Sequence, residues 1–280
     1  MNLEREDYVE PACVLCGKPG EERRAEPVPR DRILERLRQY ENRSDWAAAE
    51  RHLLYWLAEA EQNRDLRGQL MLNNELMGFY RKQGDREKAL DHAERAERLV
   101  DALDLGETVT AGTTWINAGT VREAFGDPAA GLRCFEKARV NYERQLDRRD
   151  SRLGGLYNNM ALALTALEEY REAEVLFRLA LDVMEHQENG ELEQAITWLN
   201  MADALEAELG PEQAESAAEE YLDRAMELLN AEHLPRNGYY AFVCEKCAPV
   251  FGHYGFFLQE AELNRRAAEI TENGQDPTDR

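Results

Sequence analysis

The string Tyr157-Asn158-Asn159-Met160-Ala161 lies near the middle of the chain and has a counterpart on either side, Trp115-Ile116-Asn117-Ala118-Gly119 before it and Trp198-Leu199-Asn200-Met201-Ala202 after it. The copies begin 42 and then 41 residues apart. Each opens on a large aromatic residue, carries Asn two positions later and closes on Gly or Ala. After the first copy comes a turn, Gly126-Asp127-Pro128, then an apolar series of Leu132, Phe135 and Ala138; after the second comes Glu169-Tyr170-Arg171, then Ala173, Phe177 and Ala180. Apolar residues three and four apart mark one face of a helix, so each period reads as helix, turn, helix.

The same register extends outward. Gly84-Asp85-Arg86 leads to Ala89, Ala93, Ala96 and Leu99, preceded by a first helix with Leu76, Met77 and Tyr80; before that, Ile33, Leu37 and Tyr40 precede the turn Ser44-Asp45 and the face Trp46, Ala49, Leu53 and Trp56. Toward the C-terminus, Leu209-Gly210-Pro211 breaks the chain and about four extra residues precede the second helix, which predicts a hairpin with a longer turn before Ala218, Leu222 and Ala225. A last unit runs from Tyr239 to Phe251 and from Leu258 to Ile270, and Pro249 predicts a kinked or shortened first helix there. Gly119, Ala161 and Ala202 are small where two helices must approach closely, as are Ala138, Ala180 and Ala225 on the second helices. A hairpin with one apolar stripe hides it only against the next hairpin, so the pairs stack into a solenoid with a concave face lined by first helices.

These motifs resemble the tetratricopeptide repeat superfamily in its longer version of about 42 residues, the version of kinesin light chain; Tyr157-Asn158-Asn159-Met160-Ala161 with Tyr170-Arg171-Glu172-Ala173-Glu174 and Ala180-Leu181 carries the likeness. The resemblance covers residues 31–270 and implies an all-α, right-handed superhelical solenoid of about six hairpins that binds peptide or protein segments in its groove. It departs from the family at Met77, where a small residue is expected, after Gly210, and in the aromatic-rich last unit. Residues 1–30, with Pro11, Pro19, Pro27 and Pro29, read as a separate segment, and residues 271–280 as a disordered polar tail.

Composition agrees with an all-α class: Pro numbers 9 in 280 residues, and Val/Ile/Thr-rich alternation is missing. The net charge of −22 disfavours nucleic acid and anionic membranes as partners. Met1 is followed by Asn2-Leu3-Glu4-Arg5-Glu6-Asp7 rather than a basic and then apolar leader, and no run approaches the ~20 apolar residues of a membrane span. Together with five cysteines, an odd number at low density, this predicts a cytoplasmic protein with reduced thiols; the general style of the sequence suggests a bacterial one.

Enzymatic motifs are missing: there is no Gly-rich phosphate loop, no His-Glu-x-x-His, no Gly-x-Ser-x-Gly, and His52, His92, His186, His233 and His253 are scattered without ligand spacing. A non-enzymatic scaffold without a cofactor follows. The metal candidate is Cys13-Val14-Leu15-Cys16-Gly17, a Cys-x-x-Cys turn suited to zinc. Cys244 and Cys247 would complete a four-thiolate set, but stacked hairpins at roughly 10 Å each put the two pairs about 50 Å apart, and both fall on inward helix positions where Cys acts as a small apolar residue. Cys134 reads as an unpaired thiol. The tryptophans read mostly as core; Phe251, Tyr254, Phe256 and Phe257 lie in a terminal unit with no following neighbour, where capping by the chain's own end competes with self-association.

The binding candidates are Asn117, Asn159 and Asn200, which recur two residues after the inward aromatic and so point away from the helix-pair interior, with Asn74 and Asn158 flanking them. A primary amide both donates and accepts, and it pairs with a peptide group whatever the side chain; the family resemblance implies the same role. The opposing reading has each Asn bonding a neighbouring helix. Two further functions stay open: a peptide-sensing regulator without its own output domain, and an architectural subunit that binds a folded partner by its outer surface.

Overall fold

The computed structural model describes residues 26–273. Within them twelve helices form six antiparallel hairpins: α1 (Arg30–Asn42) with α2 (Trp46–Gln62), α3 (Leu66–Lys82) with α4 (Arg86–Ala102), α5 (Val109–Ala124) with α6 (Pro128–Gln145), α7 (Ser151–Ala166) with α8 (Tyr170–Glu185), α9 (Glu191–Leu209) with α10 (Pro211–Leu229), and α11 (Gly238–His253) with α12 (Phe257–Asn273). No strand occurs among the described residues. The turns share a local code. Ser44, Arg64, Gly84 and Gly126 each adopt a positive φ, and each is followed by an Asp whose carboxylate accepts from the backbone N–H three residues on, at Ala48, Gly68, Lys88 and Ala130. The left-handed residue ends one helix and the aspartate caps the next.

The second helices α2, α4, α6 and α8 pack on the first helix of the following hairpin, and the first helices also meet directly, α3 with α5, α7 with α9 and α9 with α11. The close approaches sit where the small residues do. A Cβ on Gly119 would lie 2.5 Å from a Phe135 ring carbon and 3.0 Å from the Gly131 carbonyl oxygen, while Ala161, Ala202, Ala138, Ala180 and Ala225 are fully buried. Met77 occupies the matching place on α3 and is also fully buried, so that hairpin accommodates a long flexible side chain there.

Three expectations are corrected. The fifth hairpin has no longer turn: Gly210, at φ +80, is the whole connection, Pro211 opens α10 as its first residue, and both helices grow to 19 residues. Helix α11 is not shortened, because it continues past Pro249 to a length of 16 residues, the same as α5 and α7. Nor do the two ends of the stack lie far apart. The superhelix curves until Glu41 and Asn42 of α1 share one cavity of about 1210 Å³ with Arg236, Phe242 and Glu245 near α11 and with Arg266 and Ile270 of α12.

At the C-terminal end Phe251 is buried, Tyr254 and Phe256 pack against the core, and Phe257 and Leu258 are 68% and 85% exposed. Most of the outward face of α12 carries charges linked in ion pairs, Arg265 with Glu262 and Glu269, and Arg266 with Glu262, which is how a terminal helix keeps water on one side. At the other end Val28 is buried and its N–H donates to Asp65 Oδ2 at 3.0 Å, tying the chain just before α1 to the start of α3.

Candidate peptide-binding groove

The concave face is made by α3, α5, α7, α9 and α11. Counting from the close-contact residues Met77, Gly119, Ala161 and Ala202, the residue two places earlier is Glu75, Asn117, Asn159 and Asn200. The three asparagines therefore do share one register position, all partly buried, but the structure does not join them to one another. Asn117 Nδ2 donates to Asn74 Oδ1 at 2.9 Å, and Asn200 Nδ2 donates to Asn158 Oδ1 at 2.9 Å. Each bond runs from one hairpin to the residue one place earlier in the preceding hairpin's register. The candidate residues thus fall into two pairs that staple α3 to α5 and α7 to α9.

The pairs are not equivalent. Asn74 is saturated, since its amide nitrogen also donates to Leu70 O at 2.9 Å and Thr114 Oγ1 at 3.1 Å. Asn158 has no acceptor for its own amide nitrogen among the described residues, and Asn117 and Asn200 keep free carbonyl oxygens. Asn159 makes no side-chain hydrogen bond there at all, because the place that Asn74 and Asn158 fill in their hairpins is taken by Ile116 in the hairpin before it.

Four carboxylates on the same first helices were not foreseen: Glu75 on α3, Glu123 on α5, and Glu193 and Asp203 on α9. Burial raises the pKa of Glu75, Glu123 and Glu193 above the ordinary carboxylate value, Glu123 to about 7; Asp203 is an exposed residue whose carboxylate meets the Tyr254 hydroxyl. Weak opposing charge comes from Lys82 and Arg38 at Glu75, Arg81 at Glu123, Lys246 at Glu193 and His253 at Asp203. None of the four takes part in an ion pair among the described residues, although Glu41, Glu50, Glu97 and Glu174 do. Glu75 was legible in principle, since it sits in the asparagine row once Met77 is accepted as the close-contact residue.

The groove ends in an aromatic pair. Tyr239 and Phe242 stack at 6.1 Å, 46% and 53% exposed, and the Tyr239 hydroxyl donates to Glu193 across the α9–α11 junction. Beside them a cleft of about 420 Å³ is lined by Arg152, Gly155, Glu193, Asn237 and Tyr239. The tryptophans contribute less: Trp115 is buried with Lys137 over its ring at 4.1 Å, Trp198 lies against Tyr221 at 5.2 Å, and Trp46 is 38% exposed. A polar pair hidden from sequence reasoning, His92 with Asn73 at 2.8 Å, lies within the second hairpin, where burial lowers the His92 pKa.

Cys13 and Cys16 lie outside the described residues. Cys244 and Cys247 are in the α11 core, 0% and 1% exposed, and burial drives their thiols up to about 11 and about 12, so both are protonated at neutral pH. Cys134 is buried with the Arg122 guanidinium 3.3 Å from its sulfur. Among the described residues no helix is long and apolar enough to cross a membrane.

No family profile matches the sequence, and no curated protein does. Solved structures do match the fold. A Podosopora anserina putative kinesin light chain with nearly identical TPR-like repeats superposes with a TM-score of 0.52 at 14% identity, over 74% of this chain and 97% of that one. BtubC from P. vanneervenii gives 0.53 at 17% identity, over 85% and 95%. NprR, solved in complex with its cognate peptide NprX, gives 0.57 at 14% identity, over 87% and 67%. Twelve helices in stacked hairpins, small residues at the close contacts and these superpositions agree: the chain is a tetratricopeptide-type superhelical solenoid.

Proposed function

We propose that the protein is a non-enzymatic scaffold that holds an extended peptide or protein segment in its concave groove. The observation that carries this reading is the set of partly buried, unspent amide groups on the inner helices: the whole of Asn159, the carbonyl oxygens of Asn117 and Asn200, and the amide nitrogen of Asn158. These atoms stay open to water, and a peptide main chain supplies donors and acceptors in alternation at the spacing of an extended strand. The solved complex of NprR with its peptide supports the choice of ligand, as a protein of this fold and not as a relative in sequence.

The test uses the full chain and peptides selected on it from a random display library. Affinity measured by fluorescence polarisation should fall about fivefold to tenfold for Asn159→Ala, the loss expected for one or two hydrogen bonds, with no change in melting temperature. Selected peptides that bind Asn159→Ala and Asn200→Ala as tightly as the parent would place the ligand elsewhere.

A further inference from the structure

We infer that the chain covers its own first hairpin: residues 1–10 dock in an aromatic and cationic groove between α1 and α2, on the side that faces away from α3. This is independent of what the concave groove binds. Register identifies the side. Asp45 and Asp85 cap α2 and α4, and counting back from them sets Arg32, Arg36 and Gln39 of α1 in the places of Leu72, Leu76 and Phe79 of α3. Asn74 bonds Thr114 and Asn117 of α5, so those three apolar residues lie on the opposite side of α3, toward α2, on which α3 packs. All three are buried. No helix precedes α1 among the described residues, and the matching side of α1 is left open.

That side is a shaped groove of about 610 Å³, to which α1 gives Arg32, Arg36 and Gln39 and α2 gives His52, Tyr55 and Trp56. Its rings brace one another: Tyr40 meets His52 edge-on at 5.6 Å, and Tyr55 meets Trp56 edge-on at 5.2 Å. Arg36 lies over the Tyr40 ring at 5.0 Å and donates to its hydroxyl at 3.2 Å, while Tyr55 is 58% exposed. At the far end of the stack the outward cations of α12, Arg265 and Arg266, are paired with glutamates; Arg32 and Arg36 meet no carboxylate in ion-pair reach among the described residues, and Glu35 is the groove's one acid. An acidic segment with apolar residues in it suits this surface, and the chain supplies one. Residues 1–25 lie outside the described residues, which begin at Glu26, just ahead of α1. Within residues 1–10, Glu4, Glu6, Asp7 and Glu10 stand against Arg5 alone, with Leu3, Tyr8 and Val9 among them. Residues 11–25 reach up to about 50 Å when extended, against a length of roughly 20 Å for α1, so the acidic stretch can lie anywhere along the groove. Because it is tethered, weak contacts suffice to hold it there.

The experiment keeps the full chain and replaces Tyr55 with the photo-reactive residue benzoylphenylalanine. Irradiation should join position 55 to residues 1–10 of the same chain, located by mass spectrometry of the digested monomer, with a yield that does not change on dilution. Glu4→Lys, Glu6→Lys and Asp7→Lys together, which leave every described hairpin untouched, should lower that yield about fivefold, the effect of reversing exposed charge pairs. Arg32→Glu with Arg36→Glu should lower it likewise at unchanged circular dichroism, and combining the two sets should restore it. A link to residues 1–10 that ignores the lysine substitutions overturns the inference. So does a link formed only between two copies, which makes the groove an interface between chains, a link to some other segment, or no link at all.

Discussion

Helices α5 and α7 are neighbours of equal length, 16 residues each, drawn from the same repeat, yet they meet their surroundings differently. In α5 Gly112 and Gly119 are both closed over by aromatic rings, Tyr142 and Phe135, and Asn117 is held by Asn74. In α7 Gly154 faces only the flexible end of Met184, Gly155 faces open space, and Asn159 has no partner among the described residues. Where α5 carries the half-buried Glu123, α7 has Thr165, whose hydroxyl donates to Ala161 O at 3.0 Å. The two helices also touch each other through fewer residues than α3 touches α5 or α7 touches α9. One register position can therefore be structural at one junction and available at the next. What decides it is the residue opposite, Asn74 in one case and Ile116 in the other.

The largest expected contrast is between the glycines. Gly119→Leu must displace Phe135 or the Gly131 backbone and should destabilise by about 3 kcal/mol, whereas Gly155→Leu, with nothing within 4 Å of its Cβ, should be neutral or slightly stabilising because it replaces a helical glycine. Equal urea midpoints for the two variants would erase the distinction between the helices.

Next comes Glu123, whose carboxyl is pushed by burial up to about 7, above the ordinary carboxylate range. A carboxyl raised in the folded state adds stability below the unfolded pKa, and that contribution disappears as pH rises through 7. Glu123→Gln should therefore raise stability by roughly 1 to 2 kcal/mol at pH 8 and by almost nothing at pH 4, read from melts at the two pH values. The matched change Thr165→Val on α7 should show no such pH dependence.

Smaller still is Asn74→Ala, which strands Thr114 and Asn117 and should cost about 1 kcal/mol. A double-mutant cycle of Asn74 with Asn117 should give a coupling of roughly 0.5 to 1 kcal/mol, and the cycle of Ile116 with Asn159 none. Asn159→Ala alone should move stability by less than about 0.5 kcal/mol, and a larger loss in a chemical melt would show that this side chain is already engaged.

Helix order, hairpin count and close contacts were legible because they depend on spacing within one repeat: an aromatic residue, a small residue four places later, and a turn with Asp. The asparagine row was legible for the same reason. Its pairing was not, because the partner of Asn117 is set by residue 74 in the previous hairpin and by its χ angles. Gly210-Pro211 was misread since the same two residues that interrupt one helix also start another, a glycine free to take φ +80 and a proline suited to a helix's first position. The unpaired carboxylates look in sequence like any of the 56 acidic residues; only folding shows which of them lose water without gaining a cation. The approach of the two ends was illegible because curvature is the sum of small rotations, none of which leaves a mark on the residues that make it.

That summation gives the cavity between Glu41–Asn42 and α11–α12 the character of a gauge. Five junctions lie between its two walls, and a rotation at any one of them is multiplied by the lever arm of the hairpins beyond it. The α5–α7 junction, where no asparagine staple spans the seam, has three hairpins on either side of it, and the apolar core runs across it through the α6–α7 contact. A change of pitch at any of the five alters the width of the mouth between the tips, so strain within the stack is read out at the rim.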